Sequence, residues 1–279
     1  MSIKTNVVKL CGAMVRRLPF RPALQAVASE YLNAYNGDND TRPETNGEYA
    51  LADSLASTCQ TIFDIGANVG EWSLRMARSN PAATIHSFEP SAETFKVLLE
   101  RTTHLGKRIV LNNCGVGAAN GDGILTTYPS ASEMGSFHKF EGVFFDRLGE
   151  SNQEVVRLVA LDEYCAGRGI TKIDFMKVDV EGHEMEVLKG ARRMLQTGSV
   201  RYLQFEYNGT WIYSRSQLRD IFTLLTNAPY RVFKLLGPKK FLHVPRYSQA
   251  LETYQYANYL LVSGDHSLPG SATTRKFHV

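Results

Sequence analysis

The sequence predicts an α/β fold: a doubly wound, mostly parallel sheet of seven strands with an N-terminal helical extension. Three observations predict it. Short apolar runs alternate with segments of helical periodicity from about residue 60 onward. The first three strands and two helices come in the order βαβαβ, which right-handed crossovers fold into a parallel sheet. The first strand runs into a glycine-bearing turn, "FDIGANVGEWS", that leads directly into a helix.

Each element has its own signal. Residues 1 to about 33 carry helix-spaced apolar side chains and form the extension, with the boundary set at residue 45. "YNGDNDTRPETNGEY" (35–49) is polar and rich in turn formers, so it reads as a loop. "QTIFDIG" is a buried strand. Residues 70–79 form a helix with Trp72, Met76 and Ala77 inward, stopped by Asn80-Pro81. "ATIHSFEP" is the second strand, and residues 91–105 the second helix, closed by Gly106. "RIVLNNCGVG" is the third strand. "GDGILTTYP" reads as an extra strand whose Asp122 sits in a plain hairpin turn. The segment 130–150, with Met134, Phe137, Phe140, Phe144 and Phe145, reads as an active-site cover or a hairpin. "KIDFMKVDV" is a buried strand, and residues 184–196 are a helix with Val187, Leu188, Ala191 and Leu195 on one face. "VRYLQFEY" is the next strand. A helix and two terminal strands, "YRVFKLLG" and "YANYLLVS", flank a basic hairpin. Residues 46–279 thus make one cofactor-binding domain.

Composition excludes several classes. The chain is 43% hydrophobic and 21% charged, enough for a core of ordinary size. A net charge of +3 is too small an excess to mark a nucleic-acid binder. Cys11, Cys59, Cys114 and Cys165 form no CxxC pair, so they read as reduced thiols of a cytoplasmic protein. No apolar run reaches the ~18 residues of a membrane span, and no signal peptide is read. The N-terminal segment, with Lys9, Arg16, Arg17 and Arg21 among apolar residues, suits peripheral contact with an anionic membrane. Packing on the domain or on a second subunit, as in a homodimer, explains it too.

The glycine turn carries the strongest signal. Open α/β sheets bind ligands at the carboxyl ends of their strands. Gly66, Ala67, Asn68 and Gly70 follow Asp64 in that position, and Glu89 ends the next strand, where a carboxylate accepts hydrogen bonds from ribose hydroxyls. The turn is not G-x-G-x-x-G. Asp64 at its mouth repels a pyrophosphate and tolerates a cationic sulfonium with an amino-acid tail. The cofactor expected is therefore S-adenosyl-L-methionine. A nicotinamide oxidoreductase or a silent nucleotide-binding module fits less well.

At these residues the sequence resembles the FkbM-type methyltransferases. "DIGANVGEWS", "FEPSAETFKVLLE", "NCGVG", "LDEY", "KIDFMKVDVEGHEMEVLKGA" and "QFEYNG" follow the family's motifs in order, and "NGE" (46–48) fits the segment before its first strand. The resemblance covers about Asn46 to Val262. It implies a class I, Rossmann-like methyltransferase fold and O-methylation of sugars or secondary-metabolite hydroxyls. The third strand's end then brings Asn113 and Cys114 to the adenine, and Asp179 also lies within the cofactor's reach.

The chemistry is expected at "KVDVEGHE". Methyl transfer to an alcohol needs an oxygen held near the methyl carbon and a base to take its proton. His183 titrates in the right range. Asp179 and Glu181 stand ready to orient it, and Glu206 closes the neighbouring strand. Asp179, Glu181 and His183 alternate, so a divalent metal on that trio stays open, though it is not favoured. Tyr207, Trp211 and Tyr213 suit either a sugar ring or packing. Lys239, Lys240 and Arg246 suit a carrier phosphate or a solvated hairpin. The acceptor expected is a hydroxyl of a glycan or glycoside, with a polyketide or lipid hydroxyl as the alternative.

Overall fold

The computed structural model describes residues 12, 21–142, 146–264, 266–269 and 273–276. Cys11, Arg16, Arg17, most of the expected first helix, and Phe144 and Phe145 of the expected cover lie outside the described residues. Helix α1 (Arg21–Asn36) and helix α2 (Glu48–Ala56) precede strand β1 (Thr61–Ile65). Then come α3 (Glu71–Ser79), β2 (Thr84–Phe88), α4 (Ala92–Thr102), β3 (Ile109–Asn112), β4 (Gly115–Val116), β5 (Gly121–Tyr128), β6 (Ala131–Ser136) and β7 (Asn152–Val159). The chain continues through α5 (Leu161–Ala166), β8 (Ile173–Val178), α6 (Glu184–Gly190), α7 (Arg192–Gln196), β9 (Val200–Tyr207), α8 (Leu218–Leu224), β10 (Tyr230–Gly237), β11 (Lys240–Val244), β12 (Ala257–Ser263) and β13 (Thr273–Lys276).

The main sheet has nine strands in the order β13-β11-β10-β12-β9-β8-β1-β2-β3. Strands β3, β2, β1, β8 and β9 are parallel, as expected. The expectation of seven strands is corrected. Lys240–Val244 is a full strand that pairs antiparallel with β10, and β13 pairs with it in turn. Phe241 and Val244 are buried and give β11 its place in the sheet. The basic tip of the expected hairpin is only the turn between β10 and β11. A second sheet, β4-β7-β5-β6, stands apart. It accounts for the extra strand, and its β5–β6 hairpin includes the first part of the expected cover.

Period-two burial makes a core on each face of the sheet. Ile62, Phe175 and Leu260 pack with α2 and α3, while Phe63, Met176 and Leu261 pack with α5 to α8. Because both faces are covered, the central strands carry almost no solvent-facing position. The strand order reverses between the neighbouring strands β1 and β8, and this switch point opens the crevice expected of such sheets.

Local signals explain the helices. Gly70 caps α3 in the left-handed region at φ 83, Glu71 follows in its first turn and Arg78 sits in its last, matching the helix dipole. Asn80 ends α3, and its amide donates to the carbonyls of Ala56 and Cys59 at 2.7 and 2.6 Å. The expected helix over 184–196 breaks at Ala191 into α6 and α7. The expected loop 35–49 ends early, since Glu48 opens α2. Asp38 in that loop is buried and ion-paired with Lys234 of β10, which ties the N-terminal region to the sheet. On α1, Leu24, Val27, Tyr31, Leu32 and Tyr35 are exposed. Cys59, Cys114 and Cys165 are free thiols. No described helix is long and apolar enough to cross a membrane.

Helix α6 meets the turn after β4 backbone to backbone. A Cβ on Gly190 would lie 2.1 Å from the Gly117 carbonyl oxygen. Gly190→Ala is expected to destabilise the fold by about 1–3 kcal/mol through overpacking. Thermal unfolding beside the wild type checks this, and an unchanged midpoint would show that the contact is slack.

Candidate active site

A cleft of about 930 Å³ opens at the carboxyl ends of β1, β2, β8 and β9. The β1–α3 turn forms one wall. Gly66 adopts φ 82, and a Cβ there would lie 1.8 Å from the Asp179 carbonyl oxygen. Only glycine allows the turn to press against the end of β8 in this way. The amides of Gly66 and Ala67 donate to the Phe88 carbonyl at 3.1 and 2.9 Å, which locks the turn to β2. Asn68 takes φ 46, and its amide donates to Glu89 Oε2 at 3.0 Å. Glu89 Oε1 accepts from the Ser91 amide at 2.9 Å. Burial pushes the Glu89 carboxyl up to about 7, against those two hydrogen bonds.

Asp64 is fully buried. Its Oδ2 accepts from Ser73 at 2.6 Å, while Oδ1 has no partner among the described residues. Burial raises its pKa. Asn68 Oδ1 and Trp72 Nε1 are likewise buried and unpartnered. All three residues line the cleft, and the Trp72 ring is held edge-on against Phe175. Two acceptors and one donor would thus complement a ligand bearing both an amine and an anionic oxygen.

The other wall is acidic. Asp179, Glu181 and Glu206 bring carboxylate oxygens within 4.8 Å of one another. Glu181 is held at φ 49, a left-handed conformation that a side chain makes costly. Its carbonyl accepts from Ser136 at 2.7 Å, and Gly182 turns so tightly that a Cβ would sit 2.8 Å from the Thr210 oxygen. Burial, then the charges of Asp179 and Glu184, push Glu181 up to about 8. Burial, then Asp179, Glu181 and Glu184, hold Glu206 well above the ordinary carboxyl range. Asn208 donates to Glu206 at 2.6 Å and reaches Glu181 at 3.5 Å.

Beneath these groups lies Lys177, 7% exposed. Its ammonium is 2.7 Å from Asp179 and 3.8 Å from Glu48 at the start of α2. Burial works against its charge, yet Asp179, Glu48 and Asp64 raise its pKa well above the usual lysine value. Neither Lys177 nor Glu48 stands among the site residues expected from sequence. The signal was present: Lys177 is an ionisable residue inside a buried strand, two positions before Asp179.

The structure separates the expected residues. Asp64, Gly66, Ala67, Asn68, Glu89, Cys114, Asp179, Glu181 and Glu206 line the cleft. Gly70 shapes the turn behind it and faces Leu98. Asn113 donates to the carbonyls of Glu89 and Pro90 at 3.0 and 3.1 Å, so its side chain braces the β2 loop. His183 is not in the cleft wall. Its ring stacks near Phe137, Nδ1 lies 3.3 Å from His138, and Nε2 is buried without a partner among the described residues. Burial, then His138, lowers its pKa to about 4. The trio expected for a metal is therefore not assembled, because Glu206 stands where His183 was placed. Glu184 acts at the helix start as expected: its Oε1 accepts from the amides of Val180 and Gly182 at 3.0 and 3.4 Å.

The model of the methyltransferase FkbM domain matches residues 64–232, from the glycine turn through to β10. The chain belongs to the FkbM methyltransferase family. Among its relatives, 31-O-demethyl-FK506 methyltransferase FkbM of Streptomyces tacrolimicus is 29% identical over 153 residues, covering 46% of this chain and 58% of the relative. Hexuronic acid methyltransferase AglP of Haloferax volcanii is 27% identical over 167 residues, covering 60% and 62%. The 2-O-methyltransferase NoeI of Sinorhizobium fredii is 26% identical over 177 residues, covering 59% and 70%. The matches thus span about three fifths of the first two relatives. A crystal structure of methyltransferase FkbM from Methylobacillus flagellatus superposes with a TM-score of 0.43 at 20% identity, covering 72% of this chain and 43% of that one.

Glu184 gives a test of the site's electrostatics. Burial raises its carboxyl from 4.5 to about 8, so the folded protein holds a proton that the unfolded chain releases. Its share of stability is complete below about pH 4.5 and is lost as pH rises through about 8. The melting midpoint should fall between pH 6 and pH 9, and Glu184→Gln, which has no proton to lose, should flatten that fall. An equal decline in both proteins would refute the assignment.

Proposed function

We propose that this chain is an S-adenosylmethionine-dependent O-methyltransferase that acts on a hydroxyl of a sugar or glycoside. One observation carries the reading: the family's glycine turn and the carboxylates Asp179, Glu181 and Glu206 face each other across a single cleft. The residues present fit the cofactor. Asp64 and Asn68 would accept from its ammonium, and Trp72 Nε1 would donate to its carboxylate. Glu89 would take the ribose hydroxyls on its remaining lone pairs. Phe88, Cys114, Val116 and Leu125 would enclose the base. Bound there, S-adenosylmethionine supplies an electrophilic methyl group on a cationic sulfur.

The chain's part is to place the acceptor and take its proton. The hydroxyl would lie over Asp179, Glu181 and Glu206, its oxygen in line with the methyl carbon. The hydroxyl proton passes to Glu181. A carboxylate raised to about 8 is a stronger base than an ordinary one and is matched to neutral or mildly alkaline pH. Glu206, which favours its neutral acid form, would hold the acceptor by hydrogen bonds with Asn208. His183 has no part in this scheme, because it faces His138 behind the wall. No metal is needed, since Lys177 already offsets Asp179. Among the named relatives, the hexuronic acid methyltransferase supports a sugar acceptor, and the 2-O-methyltransferase supports transfer to oxygen. The relative named for 31-O-demethyl-FK506, with the apolar Met134 and Phe137 in this cleft, supports a polyketide hydroxyl as the second reading.

Transfer of labelled methyl from S-adenosylmethionine to simple glycosides tests the activity, and absence of both transfer and cofactor binding would refute it. Glu181→Gln should lower kcat roughly 10²–10⁴-fold, the usual share of a general base, with cofactor affinity by calorimetry nearly intact. His183→Gln should leave kcat within a few fold. In the wild type kcat/KM should rise as pH passes through about 8, where Glu181 of the free protein loses its proton, and Glu181→Gln should lack that limb. A full pH response in that variant would remove Glu181 from the mechanism.

A further inference from the structure

The charge balance of the cleft restricts the acceptor. Among the described residues, eight carboxyl groups and one ammonium line it. That ammonium, on Lys177, is buried and already engaged by Asp179 and Glu48. The bound cofactor would add a single positive charge. No arginine or histidine stands in the described wall. Protonation of some buried carboxyls removes repulsion but supplies no cation for an anionic substrate. The wall instead offers Asn208, Thr210 and Tyr256 to neutral polar groups, and Tyr49 as an aromatic face.

We infer that the acceptor carries no anionic group near the reacting hydroxyl: this cleft takes neutral or amino-bearing sugars and rejects uronates and sugar phosphates. The inference rests on the proposed function and narrows it. An ammonium on the sugar would meet Asp179 and Glu181 as hydrogen-bond acceptors, whereas a carboxylate or phosphate in the same place would face the Asp179 charge with no free cation in the described wall to pair with. In this respect the chain would differ from its relative named for a hexuronic acid.

The test uses the whole chain in four matched comparisons: methyl glucoside, methyl glucosaminide, methyl glucuronide and glucose 1-phosphate. Binding is read first by saturation-transfer NMR with S-adenosylhomocysteine present, then turnover with S-adenosylmethionine, each with EDTA and with Mg²⁺. The neutral and amino sugars should bind roughly tenfold or more tighter than the anionic pair. Glu133, exposed at the rim and outside the proposed machinery, gives the control: Glu133→Lys should narrow that gap. Equal or tighter binding of the glucuronide or the phosphate overturns the inference. So does an anion preference that appears only with Mg²⁺, which would put a cation on the carboxylate trio. Failure of both the glucoside and the glucosaminide to bind overturns it as well. Binding of those two without methyl transfer would leave the inference standing and refute the proposed activity.

Discussion

A single buried ammonium organises this molecule. Lys177 lies near the carboxyl end of β8, in a sheet covered on both faces, where an unpaired charge would be strongly unfavourable. Its partners come from separate parts of the chain: Asp179 at the end of its own strand and Glu48 at the start of α2. The pairing fixes the N-terminal helix to the catalytic end of the sheet. It also lets the cleft gather carboxyl groups that would otherwise repel one another. Buried ion pairs of this kind add little net stability compared with an apolar core, but losing one partner is costly. Lys177 therefore reads as a group kept for what it lets the cleft do.

The same region holds two positions of backbone strain. Asn68 and Glu181 hold positive φ without being glycine, and Gly66 and Gly182 press against carbonyl oxygens where a methyl group would not fit. These positions lie on the two turns that face each other across the cleft. The register of β1 against β8 brings the turns together, with the Asp179 amide donating to the Ile65 carbonyl at 3.0 Å. Packing of the two cores holds that register, so the fold supports strain where a ligand would bind. The second sheet completes the enclosure with Leu125, Met134 and Phe137.

Much of this was legible in the sequence, for physical reasons. Parallel strands buried on both faces leave continuous apolar runs, and the glycine turn follows from a backbone need that few sequences share. Asp64, Glu89, Asp179 and Glu206 were found because each ends such a run. What escaped detection depended on distant contacts. Glu48 is one residue in a polar stretch, and only α2 packing on the sheet brings it to Lys177. His183 looked catalytic because it follows β8, yet the tight turn at Gly182 rotates it behind the wall toward His138. Strand β11 escaped because a basic, proline-flanked hairpin does not announce burial, although Leu242 and Val244 alternate correctly and are buried on one face.

The claim that Lys177 makes the acidic cleft tolerable can be measured directly. Thermal unfolding of Lys177→Met beside the wild type, at pH 6 and at pH 9, separates charge from packing, since methionine keeps most of the apolar stem. The account predicts a loss of about 3–5 kcal/mol, larger at pH 9, where Glu181, raised to about 8 and facing Asp179, can no longer escape repulsion by holding its proton. A variant as stable as the wild type, or one whose loss is the same at both pH values, would contradict it.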